Sequence, residues 1–314
     1  MQAVILAAGE GKRMKPISDE VPKMMIPILD RPFLEYILLE IKDAGITDMV
    51  IVVSPKSRGP IESYFGDGST LGLKINYAVQ HERKGTAHAI SKAQEFLKDD
   101  YFLVHYGDSL TETSLPKSLV ENFKKNGEVD AYLTLREEKD TWRYGVVKFD
   151  GDRIKDIVEK PEKGKEPSNM VMVGVFILKR ESFFRAIRDV EFVKGKEEFP
   201  AKYILKNNGK VKGWLFSGKR VDLGWPHDIL NASRLLSRKL FNNDHYIGKN
   251  ISIGENSVVK NSFVNSNAKI GENCILENSY VMGECSIGDG CEIIDSVIWR
   301  GVESGKKVKG EVVA

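Results

Sequence analysis

A chain of 314 residues exceeds one average domain, and its 41% hydrophobic and 29% charged residues are ordinary for a globular protein. The formal net charge of +2 leaves no dominant basic face or tail, which argues against nucleic acid or an anionic membrane as the main partner. No apolar stretch approaches the roughly 18 residues that span a bilayer.

The chain opens at once on strand-like QAVILAA, without a cationic leader, so no signal peptide is expected. AVILAA is a short apolar run stopping at Gly9, as a strand buried on both faces should be. PFLEYILLEIKDAG sets Leu34, Ile37, Leu38 and Ile41 on one helical face and ends at Gly45. DMVIVVS, LKINYAV and YFLVHY read as further strands, and TAHAISKAQEFL as a second helix. This alternation predicts an α/β fold: a Rossmann-like, mixed, mostly parallel sheet with flanking helices, its ligands at the carboxyl ends of the strands.

From about residue 129 the pattern turns strand-rich (VDAYLTL, YGVVKF, RIKDIVEK, MVMVGVFIL), with helices near 180–188 and 226–240. It reads as an elaboration of one catalytic domain over 1–240. After FNNDHY the texture changes. Ile253, Ile270 and Ile287 recur every 17 residues, and Gly254, Gly271, Gly288 and Gly305 keep the same step, as do Ser262, Ser279 and Ser296. Ile247 lies six residues before Ile253, the hexapeptide spacing of a parallel β-helix, so 246–314 is read as a second domain. Val264, Val281 and Ile298 should stack inward, with Asn and Gly at positive-φ corners. All three cysteines, Cys274, Cys285 and Cys291, fall here; they make no disulfide framework, and a reducing cytoplasm is the expected compartment. Cys274 and Cys291 share a column with Ser257 and read as small core residues.

The chemistry begins in LAAGEGKRMKPISDEVPK. It is not a P-loop, since GEGKRM lacks the Gly-Lys-Ser/Thr ending, and Met14 occupies the third small-residue place of the dinucleotide fingerprint. Gly9 and Gly11 still let backbone N–H groups approach phosphate oxygens, and Arg13 and Lys23 supply charge that a nucleoside triphosphate would neutralise. Asp108 in YGD follows a strand, and Asp222 in RVDLG follows KVKGWLFS. Two carboxylates on one site would suit Mg²⁺, a hard cation that prefers oxygen ligands and bridges phosphates. Glu159 and Lys160 in VEKP end a strand before Pro161. Taken singly, each piece also reads as a solvated loop, a turn or a strand end.

Together the pieces resemble the sugar-1-phosphate nucleotidylyltransferase family, in particular its glucose-1-phosphate uridylyl- and thymidylyltransferases, over roughly residues 2–240. The opening loop, MIPILDRPFLEY, GDGSTLG, Gln80 with GTA, YGD, YGVVKF, VEKP, PSNMVMVG and VDLGWPHDIL follow in the family's order. The trailing repeat resembles the left-handed β-helix attached to many members. The resemblance implies that Leu6, Ala7, Ala8, Gly9 and Gly11 line the nucleotide and that Arg13 and Lys23 hold its triphosphate. Gln80 would read the base edge, with Gly85, Thr86 and Gly107 completing the nucleotide site. Gly145, Glu159 and Val173 would meet the sugar, Lys160 its phosphate, and Asp108 and Asp222 would ligate Mg²⁺.

The implied reaction is attack of a sugar-1-phosphate oxygen on the α-phosphorus of an NTP. A phosphate dianion needs no general base near neutral pH, so positioning and charge neutralisation by Arg13, Lys23, Lys160 and the metal must supply the rate. The glutamine at 80 matches the uridylyl and thymidylyl branches, because an amide can pair with both the N–H and the carbonyl of a pyrimidine edge, so UTP or dTTP is expected. Met172 stands where enzymes acting on N-acetylglucosamine-1-phosphate usually have asparagine, which favours glucose-1-phosphate; GTAHA reads more like the N-acetylglucosamine enzymes and keeps that alternative open. No histidine follows His245, so acyl transfer by the β-helix is not expected; its exposed terminal strand edge suits a homo-oligomer. The alternative of another class is a non-catalytic regulatory or scaffold relative, which should have lost the charged site residues retained here.

Overall fold

The computed structural model describes residues 1–314 other than Gly127, Asp152, Lys194, Lys196 and Glu197; the side chains of Asn126 and Arg143 are also left undescribed. Its contacts divide the chain into two compact units. One comprises Met1–Gly9, Leu38–Gly107 and Ser114–Gly218; the other comprises Glu10–Ile37, Asp108–Thr113 and Lys219–Ala314.

The first unit is organised by a nine-stranded mixed sheet. Its main path runs Arg153–Glu159, Gly145–Asp150, Met170–Lys179, Tyr101–Tyr106, Gln2–Ala7, Asp48–Val53 and Lys74–Val79, with Ala131–Glu137 and Val211–Leu215 continuing from Met170–Lys179. The last four strands of the main path are mutually parallel, and Met170–Lys179 opens the antiparallel half. Gln2–Ala7 lies inside the parallel half and is covered on both faces, which is why its sequence is continuously apolar rather than alternating. Gln2 is buried as well. Its Nε2 donates to the Phe96 carbonyl (3.0 Å) and its Oε1 accepts from the Lys98 N–H (2.6 Å), so the polar group is satisfied at the strand's start.

The expected helices form over Phe33–Asp43, Arg180–Ile187 and Asp228–Phe241, while TAHAISKAQEFL gives a shorter helix, Thr86–Ser91, and a 3₁₀ turn at Gln94–Phe96. Among the described residues, helices beyond those expected are the single turn Ile17–Glu20 and Pro55–Phe65, Leu115–Asn126 and Pro200–Lys206; Leu115–Asn126 is legible from Leu115, Leu119, Val120 and Phe123 at helical spacing. Pro55–Phe65 contains Gly59 and Pro60, which weaken any helical reading. It is nucleated by a capping box in which Ser54 and Ser57 exchange side-chain and backbone hydrogen bonds.

In the second unit the 17-residue repeat forms three parallel sheets of short strands, the arrangement of a left-handed β-helix. Val264, Val281 and Ile298 are fully buried in its core, as are Cys274 and Leu276. Corner asparagines 250, 256, 261, 267, 273 and 278 have positive φ. The glycines of the repeated column have a different origin. Those at 254, 271 and 288 avoid positive φ and are instead required by close stacking: a Cβ on Gly254 would meet the Glu272 nitrogen of the next coil at 2.5 Å. Ser262, Ser279 and Ser296 form a buried ladder. Each hydroxyl donates to a carbonyl two residues back and accepts an N–H from the next coil, as in Ser279 N to Ser262 Oγ at 3.1 Å.

The β-helix holds the segment that follows the glycine-rich loop. Asp30, at φ 67°, accepts from the Ser266 N–H and hydroxyl and from Tyr246 Oη, all within 2.7 Å. Tyr280 is fully buried and donates to the Pro27 carbonyl at 2.7 Å. Glu20 accepts from Trp299 Nε1 (3.2 Å) and pairs with Arg300. Among the described residues, no helix is long and apolar enough to cross a membrane.

Candidate active site

In the second unit the loop turns at Gly11, whose φ of 65° a residue with a Cβ adopts poorly. The Gly11 carbonyl accepts from Met14 N (2.7 Å) and Ser18 Oγ (2.8 Å), and a Cβ there would press on Lys23 Cβ at 3.1 Å. The turn therefore fixes where Lys23 starts. Lys23 is only 7% exposed, and its ammonium sits 2.6 Å from Asp108 Oδ2. A buried ammonium is retained in water-poor surroundings only beside an anion.

Asp108 and Asp222 lie at the ends of two paired antiparallel strands, Ser109–Thr111 and Arg220–Asp222. Asp222 is opposite Ser109, and the Leu223 N–H donates to the Asp108 carbonyl at 2.8 Å. Backbone pairing thus sets the two aspartates expected to share a cation one register step apart. Arg220 hydrogen-bonds Asp222 Oδ2, so both aspartates have a cation on one oxygen. Arg13 lies over the Trp225 ring at 5.4 Å, a cation–π contact that supports its guanidinium. Trp225 is held in turn by Asp228, whose Oδ2 accepts the N–H groups of Gly224 (2.9 Å) and Trp225 (2.7 Å).

In the first unit Leu6, Ala7 and Ala8 close the first strand, and the Gly107 N–H donates to the Leu6 carbonyl at 3.0 Å. Gly9 has open space where a Cβ would lie. Gln80 follows the Lys74–Val79 strand, is 5% exposed, and its backbone N–H donates to the Val53 carbonyl at 2.8 Å. Its Nε2 is 3.3 Å from the Gly85 carbonyl and 3.0 Å from His88 Nδ1. Both amide hydrogens are committed, so the side chain does not offer the donor-plus-acceptor face expected from its sequence. Thr86 Oγ1 is 3.3 Å from Tyr106 Oη. Burial, then Lys92 and Lys84, hold the His88 pKa below its ordinary value.

Gly145 pairs in register with Glu159, and a Cβ there would fall 2.3 Å from Met172 Cε and 2.9 Å from Glu159 Oε2. Lys160 follows with a left-handed φ of 45°, and its N–H donates to the Tyr144 carbonyl at 3.0 Å. This turns the chain at the strand's end. Val173 is buried as a whole residue. Its strand slips register against Ala131–Glu137 between Met172 and Phe176, interrupting the ladder there. Beside it, a Cβ on Gly174 would strike the Tyr106 ring at 2.6 Å.

Sequence reasoning missed Arg220, Trp225, Asp228, Tyr106 and His88. Arg220 was discoverable, because two residues apart on a strand places it on the face of Asp222. His88 stands three residues after Gly85, a spacing that gives no signal of its own.

A mixed α/β sheet, a cationic glycine loop and ion-paired aspartates on paired backbone are the features of a class that handles phosphates by charge. The chain belongs to the nucleotidyl transferase family, whose model matches residues 2–239. It is 31% identical over 240 residues to the low-salt glycan biosynthesis nucleotidyltransferase Agl11 of Haloferax volcanii, covering 75% of this chain and 66% of that protein. It is 33% identical over 267 residues to the bifunctional protein GlmU of Methanococcus maripaludis, covering 84% and 61% respectively, so the chain spans less than two-thirds of either relative. A UTP–glucose-1-phosphate uridylyltransferase of Staphylococcus epidermidis is 32% identical, with 71% and 87% covered. Among solved structures, a UDP-glucose pyrophosphorylase complexed with UDP-glucose superposes with a TM-score of 0.66 at 26% identity, over 76% of this chain and 100% of that one. A Bacillus anthracis protein assigned as a glucose-1-phosphate thymidylyltransferase gives 0.67 at 25%, over 75% and 94%.

Proposed function

We propose that this protein transfers a nucleotidyl group from UTP or dTTP to a sugar-1-phosphate, with glucose-1-phosphate the favoured acceptor, giving an NDP-sugar and pyrophosphate. The observation that carries the reading is the Lys23–Asp108 ion pair beside Asp222, directly after the glycine loop. The activities named for the Staphylococcus relative and the UDP-glucose pyrophosphorylase support it.

A sugar-phosphate oxygen forms a bond to the α-phosphorus as the bond to the β-phosphate oxygen breaks, and the electron pair leaves on pyrophosphate. Arg13 and Lys23 would hold the triphosphate, and Lys160 the sugar phosphate. Glu159 would accept from sugar hydroxyls, its carboxylate lying against its strand partner Gly145, where a Cβ would fall 2.9 Å from Oε2. Asp108 and Asp222 fit Mg²⁺: both are hard oxygen donors on adjacent strand ends. Two carboxylates completed by substrate phosphates is how that ion is commonly bound, and among the described residues no cluster of three or more His, Cys, Asp or Glu competes with them. When bound, the ion neutralises phosphate charge as a Lewis acid. We further propose a cytoplasmic enzyme that assembles into homo-oligomers through its β-helix.

The test crosses several NTPs with glucose-1-phosphate and N-acetylglucosamine-1-phosphate in the presence of Mg²⁺ and measures pyrophosphate. Release with UTP or dTTP and glucose-1-phosphate is expected. Preference for N-acetylglucosamine-1-phosphate would move the assignment to that substrate, and no turnover with any pair would favour a scaffold role.

A further inference from the structure

We propose that His88 is a positioning residue for base specificity: by accepting from Gln80 Nε2, it locks the amide so that only Oε1 remains to meet the base. The site then requires a nucleobase that presents an N–H at that point, as uracil and thymine do and cytosine does not. This deepens the nucleotidyl-transfer reading above and rests on it.

The orientation of Gln80 follows from its neighbours. A carbonyl only accepts, so the atom 3.3 Å from the Gly85 oxygen must be the amide nitrogen. The second hydrogen of that nitrogen points at His88 Nδ1, 3.0 Å away, which must therefore be the unprotonated ring nitrogen. The imidazole is thus the neutral tautomer with its hydrogen on Nε2. Its surroundings favour that form: the ring is buried, packs against Phe192 with centroids 5.4 Å apart, and has Lys84 and Lys92 nearby, opposed by Glu82. Gln80 is itself buried and its backbone is pinned to Val53, so the amide has little freedom to exchange its two ends. A pyrimidine whose ring nitrogen is an acceptor, as in cytosine, would set two lone pairs against each other in a water-poor site, an arrangement that costs more than a missing contact.

The experiment compares kcat/KM for UTP and CTP, with glucose-1-phosphate as acceptor, in the wild type, His88→Ala and His88→Asn. His88→Ala should lower the UTP-to-CTP ratio roughly tenfold, the scale of one neutral hydrogen bond, mostly through the nucleotide KM. His88→Asn should recover most of it, since Oδ1 can take the place of Nδ1 as acceptor. Melting curves for each variant separate this from a loss of fold. A second arm needs no variant: wild-type enzyme should use N3-methyluridine triphosphate, which lacks the N–H, no better than CTP. An unchanged ratio in an active His88→Ala, an Asn variant no better than Ala, or N3-methyl-UTP used as well as UTP overturns the inference alone. A wild type that turns over no NTP overturns the functional reading and this one with it.

Discussion

The two compact units carry different kinds of chemistry. In the one that holds Lys23, Asp108, Arg220 and Asp222, the candidate groups are full charges matched in ion pairs, Lys23 with Asp108 and Arg220 with Asp222. The other holds the charged pair Glu159 and Lys160 at a strand end, but its Gln80, His88, Thr86 and Tyr106 are neutral donors and acceptors linked by hydrogen bonds. Charge acts over distance and favours any phosphate; a hydrogen-bond pattern acts at contact and distinguishes one base from another. The division teaches that rate and selectivity should be separable by mutation. Changes among the charges should depress turnover with every nucleotide, and changes in the neutral network should alter which nucleotide is used.

The largest effect is expected from Asp108→Ala. Losing one of the two carboxylates that would hold Mg²⁺, and the partner that positions the Lys23 ammonium, should lower kcat by roughly a thousandfold for every NTP, read as pyrophosphate release. It also leaves the buried Lys23 ammonium without its partner, so the melting temperature should fall as well. Selective loss with one nucleotide alone would break the comparison. Next is Gly145→Ala. Its new methyl must displace Met172 Cε and Glu159 Oε2, so KM for the sugar phosphate should rise roughly tenfold while nucleotide KM stays put, a loss comparable to one misplaced substrate contact. Equal changes in both KM values would show that the site is not divided as described.

The β-helix supplies the control. Ser279→Ala leaves the buried Ser296 N–H without its acceptor and should destabilise the fold by about 1–3 kcal/mol in chemical denaturation, with kcat/KM unchanged for both substrates. The smallest effect concerns Tyr246, whose pKa is pushed up to about 12, first by burial and then by its hydrogen bond to Asp30. A raised folded-state value means the phenol's contribution is fully present below pH 10 and is lost as pH rises through about 12. Tyr246→Phe should therefore flatten the alkaline limb of stability between those values and leave neutral-pH activity alone.

The regular parts of the molecule were legible because they repeat. Strand runs such as AVILAA announce a two-sided core, and the 17-residue period announces the coils. Within the repeated column, Gly305 takes the positive φ expected of a corner, whereas Gly254, Gly271 and Gly288 answer to coil-on-coil distance, a quantity no single residue encodes. Pro55–Phe65 was hidden because Gly59 and Pro60 oppose a helix that tertiary packing and the Ser54–Ser57 box impose. At the candidate site, Gly11, Gln80, Asp108 and Lys160 stand in turns or just beyond strands, and Asp222 ends a strand paired with the one that follows Asp108. The supporting residues were not legible. Arg220 and His88 act through a neighbour's side chain, and His88 does so by virtue of one hydrogen bond whose direction depends on where the Gly85 carbonyl points.

The central claim is that the protein contributes charge and position while the sugar phosphate itself makes the bond to phosphorus. The stereochemical course of transfer from UTP chirally labelled with sulfur at the α-phosphorus tests it most directly. A single in-line displacement predicts inversion at phosphorus in the NDP-sugar. Retention would mean two displacements through a nucleotidylated side chain, and would contradict the account.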